Sequence, residues 1–169
     1  GKAWKDSTLN QQGQGIEVIS QAPGSVTLEQ TISMEESGST ATYRYTINAR
    51  GEARVEVSFN FGGEGEFSEI PRIGSNFQMP VEFDRVSYYG RGPHENYWDR
   101  KTSAFVGVYQ GEVKDLAFDY IRPQENGNRS DVRWVSLADS MGNGLMASGM
   151  PLLNFSALHY SNEDLDREY

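Results

Sequence analysis

The chain has 169 residues, 37% hydrophobic and 12% aromatic, with no cysteine and a net charge of −9. The aromatic content excludes a disordered chain, and the missing cysteines exclude disulfides and thiolate metal sites. The acidic balance argues against nucleic acid and anionic membrane surfaces, which are bound through Lys and Arg. No apolar run approaches the ~20 residues that a membrane-crossing helix requires.

The chain opens Gly1-Lys2-Ala3-Trp4, with no Met and no signal-peptide pattern. Alternation of period two then dominates. Ile16 and Val18 begin it; Val26, Leu28, Ile32 and Met34 continue it, with Gln30 interrupting. Ala41, Tyr43, Tyr45, Ile47 and Ala49 follow, with Thr40, Thr42, Arg44, Thr46 and Asn48 on the opposite face. Val55, Val57, Phe59 and Phe61 complete the set. One apolar and one polar face is the pattern of half-buried antiparallel strands. Turn residues at 35–38 and 50–52 separate them, so the first third is expected to be a four-stranded meander.

The stretch 62–80 is looser, with a Gly-rich loop at Gly62-Gly63-Glu64-Gly65-Glu66. Strand patterns resume at 81–89, 104–109, 132–137, 144–148 and 152–160, and Ser140-Met141-Gly142-Asn143 supplies a hairpin turn. No long amphipathic helix is expected. Ser161 and Asp164 form a capping-box pattern for a short terminal helix without a stop signal. That ending, with the opening, predicts a fragment of a longer polypeptide. The expected fold is all-β, an antiparallel β-sandwich or extended two-layer sheet, as a single domain over residues 1–169.

Two polar segments stand out, at 88–101 and 121–134. Both mix Arg, carboxylates, amides and aromatic rings, the residue types that stack on sugar C–H faces and bond hydroxyls. Glu95 and Asp99 are candidates for a glycosidase pair, whose carboxyls stand ~5–9.5 Å apart. On a strand they would lie ~13 Å apart, and only a helical turn after Pro93 would bring them to ~6 Å. The alternative is ion pairing of these acids with Arg91, Arg100 or Arg129. His94 and His159 are the only histidines. A His facing a carboxylate, such as His159 with Glu125, would suit an aldose epimerase. No metal-ligand spacing is present, and the acidic group Glu64, Glu66 and Glu69 reads as a solvated loop.

Taken together, the segments resemble a known family. Tyr89-Gly90-Arg91-Gly92-Pro93-His94-Glu95-Asn96-Tyr97-Trp98-Asp99-Arg100 is similar to the Y-G-R-G-P-x-E-N-Y-x-D-R stretch of the C-terminal domain, or small chain, of glycoside hydrolase family 2 β-galactosidases. Trp98 stands where that pattern usually has Pro. Arg122-Pro123-Gln124-Glu125-Asn126-Gly127-Asn128-Arg129, Pro71-Arg72-Ile73-Gly74 and Asn154-Phe155-Ser156-Ala157-Leu158-His159-Tyr160-Ser161 match as well.

The resemblance implies a truncated supersandwich similar to galactose mutarotase, packed on a catalytic barrel that carries the reactive glutamates and a Mg2+ site. It implies no catalytic residue, no metal and no cofactor in this chain, and only an indirect part in galactoside binding. Arg91, Glu95, Asp99, Arg100, Glu125 and Arg129 are then expected to form a partly buried, mutually paired scaffold. A carbohydrate-binding module would instead use Tyr97, Trp98, Trp134, Arg91 and Asn126. Missing strands would leave bare sheet edges open to homo-dimer formation.

Overall fold

A computed structural model describes residues 2–63, 67, 69–70, 72–122 and 124–165. Glu64, Gly65 and Glu66 of the expected loop, Pro71 and Pro123 of the quoted motifs, and the tail 166–169 lie outside them. The fold is all-β and antiparallel, as expected, with one sheet in each of two compact units, residues 1–76 and 77–169.

The first unit opens with α1 (Lys2–Leu9). No helical period announces it, because Ala3, Trp4 and Leu9 are its only apolar residues. A tertiary contact holds it instead. Trp4 is 7% exposed, with Phe59, Phe61 and Phe67 around its ring at 6.5, 5.6 and 4.6 Å. One turn on, the buried Ser7 hydroxyl meets that of Ser37 at 3.2 Å.

The sheet contains β1 (Gln12–Gly13), β2 (Glu17–Ala22), β3 (Ser25–Met34), β4 (Ser39–Asn48) and β5 (Ala53–Asn60). Strands β2 to β5 form the expected four-stranded antiparallel meander, and β1 also pairs with β3. Register follows the alternation. Val26 faces Ile47 and Leu28 faces Tyr45, with Ala53 and Val55 beyond them on β5. The other face carries Thr27 opposite Thr46 and the Glu29–Arg44 ion pair at 2.7 Å.

The second unit is a four-stranded sheet in the order β7-β6-β8-β9, from β6 (Arg85–Gly92), β7 (Phe105–Glu112), β8 (Arg129–Ala138) and β9 (Gly144–Phe155). Val86 and Tyr88 on β6, Val132 and Val135 on β8, and Leu116 form its core. Tyr88 lies between Tyr109 and Phe155, with centroids at 5.4 and 5.2 Å. Burying a large apolar side chain of this kind contributes about 1.5–3 kcal/mol.

Strand β6 begins four residues later than expected, after a turn in which Phe83 N–H bonds to the Pro80 carbonyl, and it runs on through Gly90 and Gly92. Gly90 is required there, because a Cβ would meet the Val132 backbone at 2.9 Å. The two strands expected at 144–148 and 152–160 are one strand, β9, ending at Phe155. Ser148 faces Trp134 while Leu153 faces Val132, so residues 149–152 bulge out around Pro151, which has no N–H for a ladder. The 140–143 turn is present. Asp139 holds it by accepting the Met141 and Asn143 amides at 2.8 and 2.9 Å. The Ser161–Asp164 capping box starts α2 (Asn162–Leu165).

Candidate functional site

Beyond β6 the chain leaves the sheet, and Asn96 fastens it back. Asn96 is fully buried, and its side chain uses its full bonding capacity. Nδ2 donates to the Arg91 and His94 carbonyls at 3.1 and 3.0 Å. Oδ1 accepts from the Ser130 amide at 3.0 Å and the Ser130 hydroxyl at 2.5 Å. The Asn96 backbone bonds Asn128 in both directions. The loop of the first polar segment is thus tied to the second at Asn128 and Ser130.

Glu95, beside it, is a carboxylate with three kinds of donor. Oε1 accepts from Arg100 Nη2 at 2.8 Å and from the Tyr120 hydroxyl, and Oε2 from the Gly127 amide at 2.8 Å. Its side chain is 8% exposed and that of Arg100 51%. Burial alone would push this carboxyl up. The bonds from Tyr120, Gly127 and Arg100 outweigh it and hold the pKa below the usual value. A group tuned in this direction stays ionised, the opposite of what a general acid at neutral pH needs.

Gly127 sits at φ 76°, in the left-handed region, where a Cβ would meet the Leu116 carbonyl oxygen at 2.9 Å. Gly127→Ala is expected to cost about 1–3 kcal/mol through backbone strain and displacement of the amide from Glu95. An unchanged urea midpoint for this variant would contradict that account.

A separate cluster surrounds Asp131. This residue has φ 52° at an irregularity of the β8–β9 register. Its carboxylate takes Arg91 Nε at 2.5 Å and Lys101 Nζ at 3.0 Å, and Arg91 first of all, then Lys101, hold its pKa down. Arg91 also donates to the Lys101 and Ala104 carbonyls, and Lys101 stands 4.2 Å from the Trp98 ring centre.

Arg129, 3% exposed, clamps a third point. It donates to the carbonyls of Leu116, Gly127 and Pro93 at 3.1, 2.8 and 2.9 Å.

The charged residues singled out in the sequence therefore fall into separate groups. Glu95 pairs with Arg100, Arg91 pairs with Asp131, and Arg129 binds backbone carbonyls. Asp99 is exposed in the 97–100 turn, and the stretch after Pro93 is not helical, so the one conformation that would bring Glu95 and Asp99 together does not form. Glu125 is exposed. Asn96, Lys101, Tyr120 and Asp131 complete the networks. Their roles were missed because loops and an irregular strand register carry no period from which burial can be read; Asn96, Lys101 and Asp131 did lie inside the two polar segments.

The residues proposed for sugar contact differ in exposure and in their bonding. Asn126 is buried, with its amide committed to Phe118 N–H and the Gln124 carbonyl. Trp134 is half-buried on β8, opposite Tyr89. Tyr97 is half-buried, and its pKa is raised to about 12 by burial, then by Glu95 and Glu125. Trp98 is 72% exposed. His94 Nε2 meets the Ser103 hydroxyl at 3.1 Å. His159 lines an open cleft of about 490 Å³ with Asp84, Glu112, Asp119, Lys114 and Tyr160. Among the described residues no three His, Asp or Glu side chains converge as a metal-ligand set.

A family profile described as beta galactosidase small chain matches residues 1–169. A Beta-galactosidase of Priestia megaterium is 36% identical over 165 residues, covering 98% of this chain and 16% of that protein. Beta-galactosidases of Lactobacillus delbrueckii subsp. bulgaricus and Vibrio cholerae are 40% and 39% identical over 125 residues. Each of these two matches covers 74% of this chain, and 12% and 11% of the respective relative. The chain thus spans about one-sixth or less of the length of these relatives.

Proposed function

The chain belongs to the β-galactosidase small-chain family, and on that premise we propose that it is a non-catalytic β-sandwich portion of a β-galactosidase. It packs on the catalytic barrel and helps shape the rim of the active site. The reaction of the whole enzyme is retaining hydrolysis of terminal β-D-galactosides, with the reactive carboxylates and the Mg2+ on the barrel.

One observation carries the reading. Glu95, the most buried carboxylate of the family motif, is held by Arg100, Tyr120 and the Gly127 amide in a bonding set that favours its ionised form. Its oxygens join the loop after β6 to the loop entering β8. That is the work of a brace, which keeps the polar segments rigid so that neighbouring parts of the enzyme meet a fixed surface. Arg129 and Asn96 act in the same way, through backbone carbonyls and amides.

The test is direct. This polypeptide alone, given a chromogenic β-galactoside, should show no turnover above background. Turnover that Glu95→Gln abolishes would contradict the proposal.

A further inference from the structure

Trp98 is 72% exposed, yet its ring is held in place. Trp98 and Asp99 are the two central residues of a turn that the Arg100 N–H closes on the Tyr97 carbonyl at 3.0 Å. Lys101 Nζ stands over the indole, 4.2 Å from the ring centre. Both carboxylate oxygens of Asp131 fix that ammonium, at 3.0 and 3.1 Å, and Arg91 fixes Asp131 in turn. Arg91 reaches back to the Lys101 and Ala104 carbonyls at 3.3 and 2.8 Å, which closes the chain of contacts. The Lys101 side chain is 24% exposed, and a cation–π contact strengthens as its cation loses water.

An exposed ring on a fixed mount is a preorganised contact, because its rotamer freedom is lost on folding and not on binding. Lys101 covers one face of the indole. Among the described residues no other ring lies against it, so the face away from Lys101 is open. Trp98 also stands where the family pattern usually has Pro, so the fold itself does not demand a large ring there.

The surroundings select the ligand. The core of a protein–protein contact is apolar and poor in charge, whereas Asp99, Arg100, Thr102 and Ser103 beside Trp98 are exposed and polar. A nucleobase would stack on the ring, but a net charge of −9 repels the phosphates that come with it. A neutral sugar meets both conditions. The C–H face of a pyranose lies flat on an indole, and the hydroxyls at its edge donate to carboxylates such as that of Asp99. Galactose suits the ring well, because its axial hydroxyl leaves the opposite face lined by C–H groups.

We propose that Trp98 forms an accessory carbohydrate site, which takes one neutral pyranose unit of a galactose-containing saccharide on its open face. Asp99 accepts from the sugar hydroxyls, and Lys101 is a positioning residue that holds the indole. No bond is broken there. The choice of galactose rests on reading the chain as a portion of a β-galactosidase.

Affinity electrophoresis of the assembled enzyme, through gels that contain soluble β-galactan, tests the proposal. Galactan should slow the parent enzyme. Trp98→Ala should raise the dissociation constant read from that retardation by about tenfold, the scale of one lost aromatic contact. Lys101→Met keeps the aliphatic stem and removes the ammonium, and it should weaken binding by about threefold because the ring is no longer held. In the sugar-free enzyme, Trp98→Phe should lower the share of tryptophan emission that iodide quenches. Equal retardation of the parent and of a Trp98→Ala enzyme that unfolds as cooperatively would overturn the proposal, and so would a parent that galactan does not slow. An unchanged quenchable share in Trp98→Phe would contradict it as well, by placing the ring against the remainder of the enzyme. Galactoside turnover by this chain alone would sink the scaffold reading without altering these binding comparisons.

Discussion

Asn96→Ala is expected to lower the stability of the protein by about 4 kcal/mol, because each buried polar group left without a partner costs about 1–3 kcal/mol. The variant strands two carbonyls, of Arg91 and His94, together with the amide and hydroxyl of Ser130. Alanine is too small to displace them and too apolar to satisfy them. Asn96→Asp is expected to fail similarly: it keeps the acceptor for Ser130, but it loses both donors and buries a charge. Urea unfolding of both variants checks this. A midpoint for Asn96→Ala within experimental error of the parent would show that the loop is not fastened at this point.

Glu95→Ala is expected to cost about 3 kcal/mol, below the upper range for a buried pair because Arg100 stays half in water. The loss falls on the Gly127 amide, the Tyr120 hydroxyl and the Arg100 guanidinium together. A pH signature accompanies it. The Glu95 pKa is lower in the folded protein than in the unfolded chain, so its contribution is fully present above the ordinary carboxylate range. It is lost as pH falls through the depressed folded value, when the carboxylate is protonated and its donors are released. Asp131 adds a contribution of the same sign through Arg91 and Lys101. The urea midpoint should therefore drop as the solution is acidified below pH ~4. Glu95→Gln should show a shallower drop, because one of the carboxylates with a lowered pKa is gone. Parallel acid dependence in the two proteins would show that Glu95 is not held as described.

The strands were legible because alternation of period two marks extended chain and sorts residues between two faces, although the expected burial of the apolar face does not hold on β2 and β5, where Val18 is 63% and Val55 51% exposed. Gln30, the one break in β3, sits opposite Tyr43 and within reach of the Gln14 carbonyl, so the interruption does not disturb the register. What the period could not show was held by contacts distant in sequence. Helix α1 depends on Phe59, Phe61 and Phe67 closing on Trp4, and nothing within its own residues predicts that. The merging of two expected strands into β9 followed from a bulge around Pro151, where sequence logic expects a break.

The site was half legible for the same reason. The residue types of the two polar segments announced an internal network of charges and amides. Which carboxylate met which cation depended on loop geometry. Asp131 took Arg91 because an irregular register set its backbone at positive φ, and Glu95 reached Gly127 because the left-handed glycine turned its amide inward. Neither arrangement leaves a period or a spacing in the chain.

The central claim is that the carboxylates of this chain brace the structure and do no chemistry. It is tested most directly by Glu95→Gln in the assembled β-galactosidase, with kcat/KM measured per active site well below the unfolding temperature. The account predicts a kcat/KM within about threefold of the parent, under 1 kcal/mol of transition-state energy, together with a lower unfolding midpoint. A fall of ~10²–10⁴-fold, the scale of a lost general acid or base, with the midpoint unchanged, would contradict it.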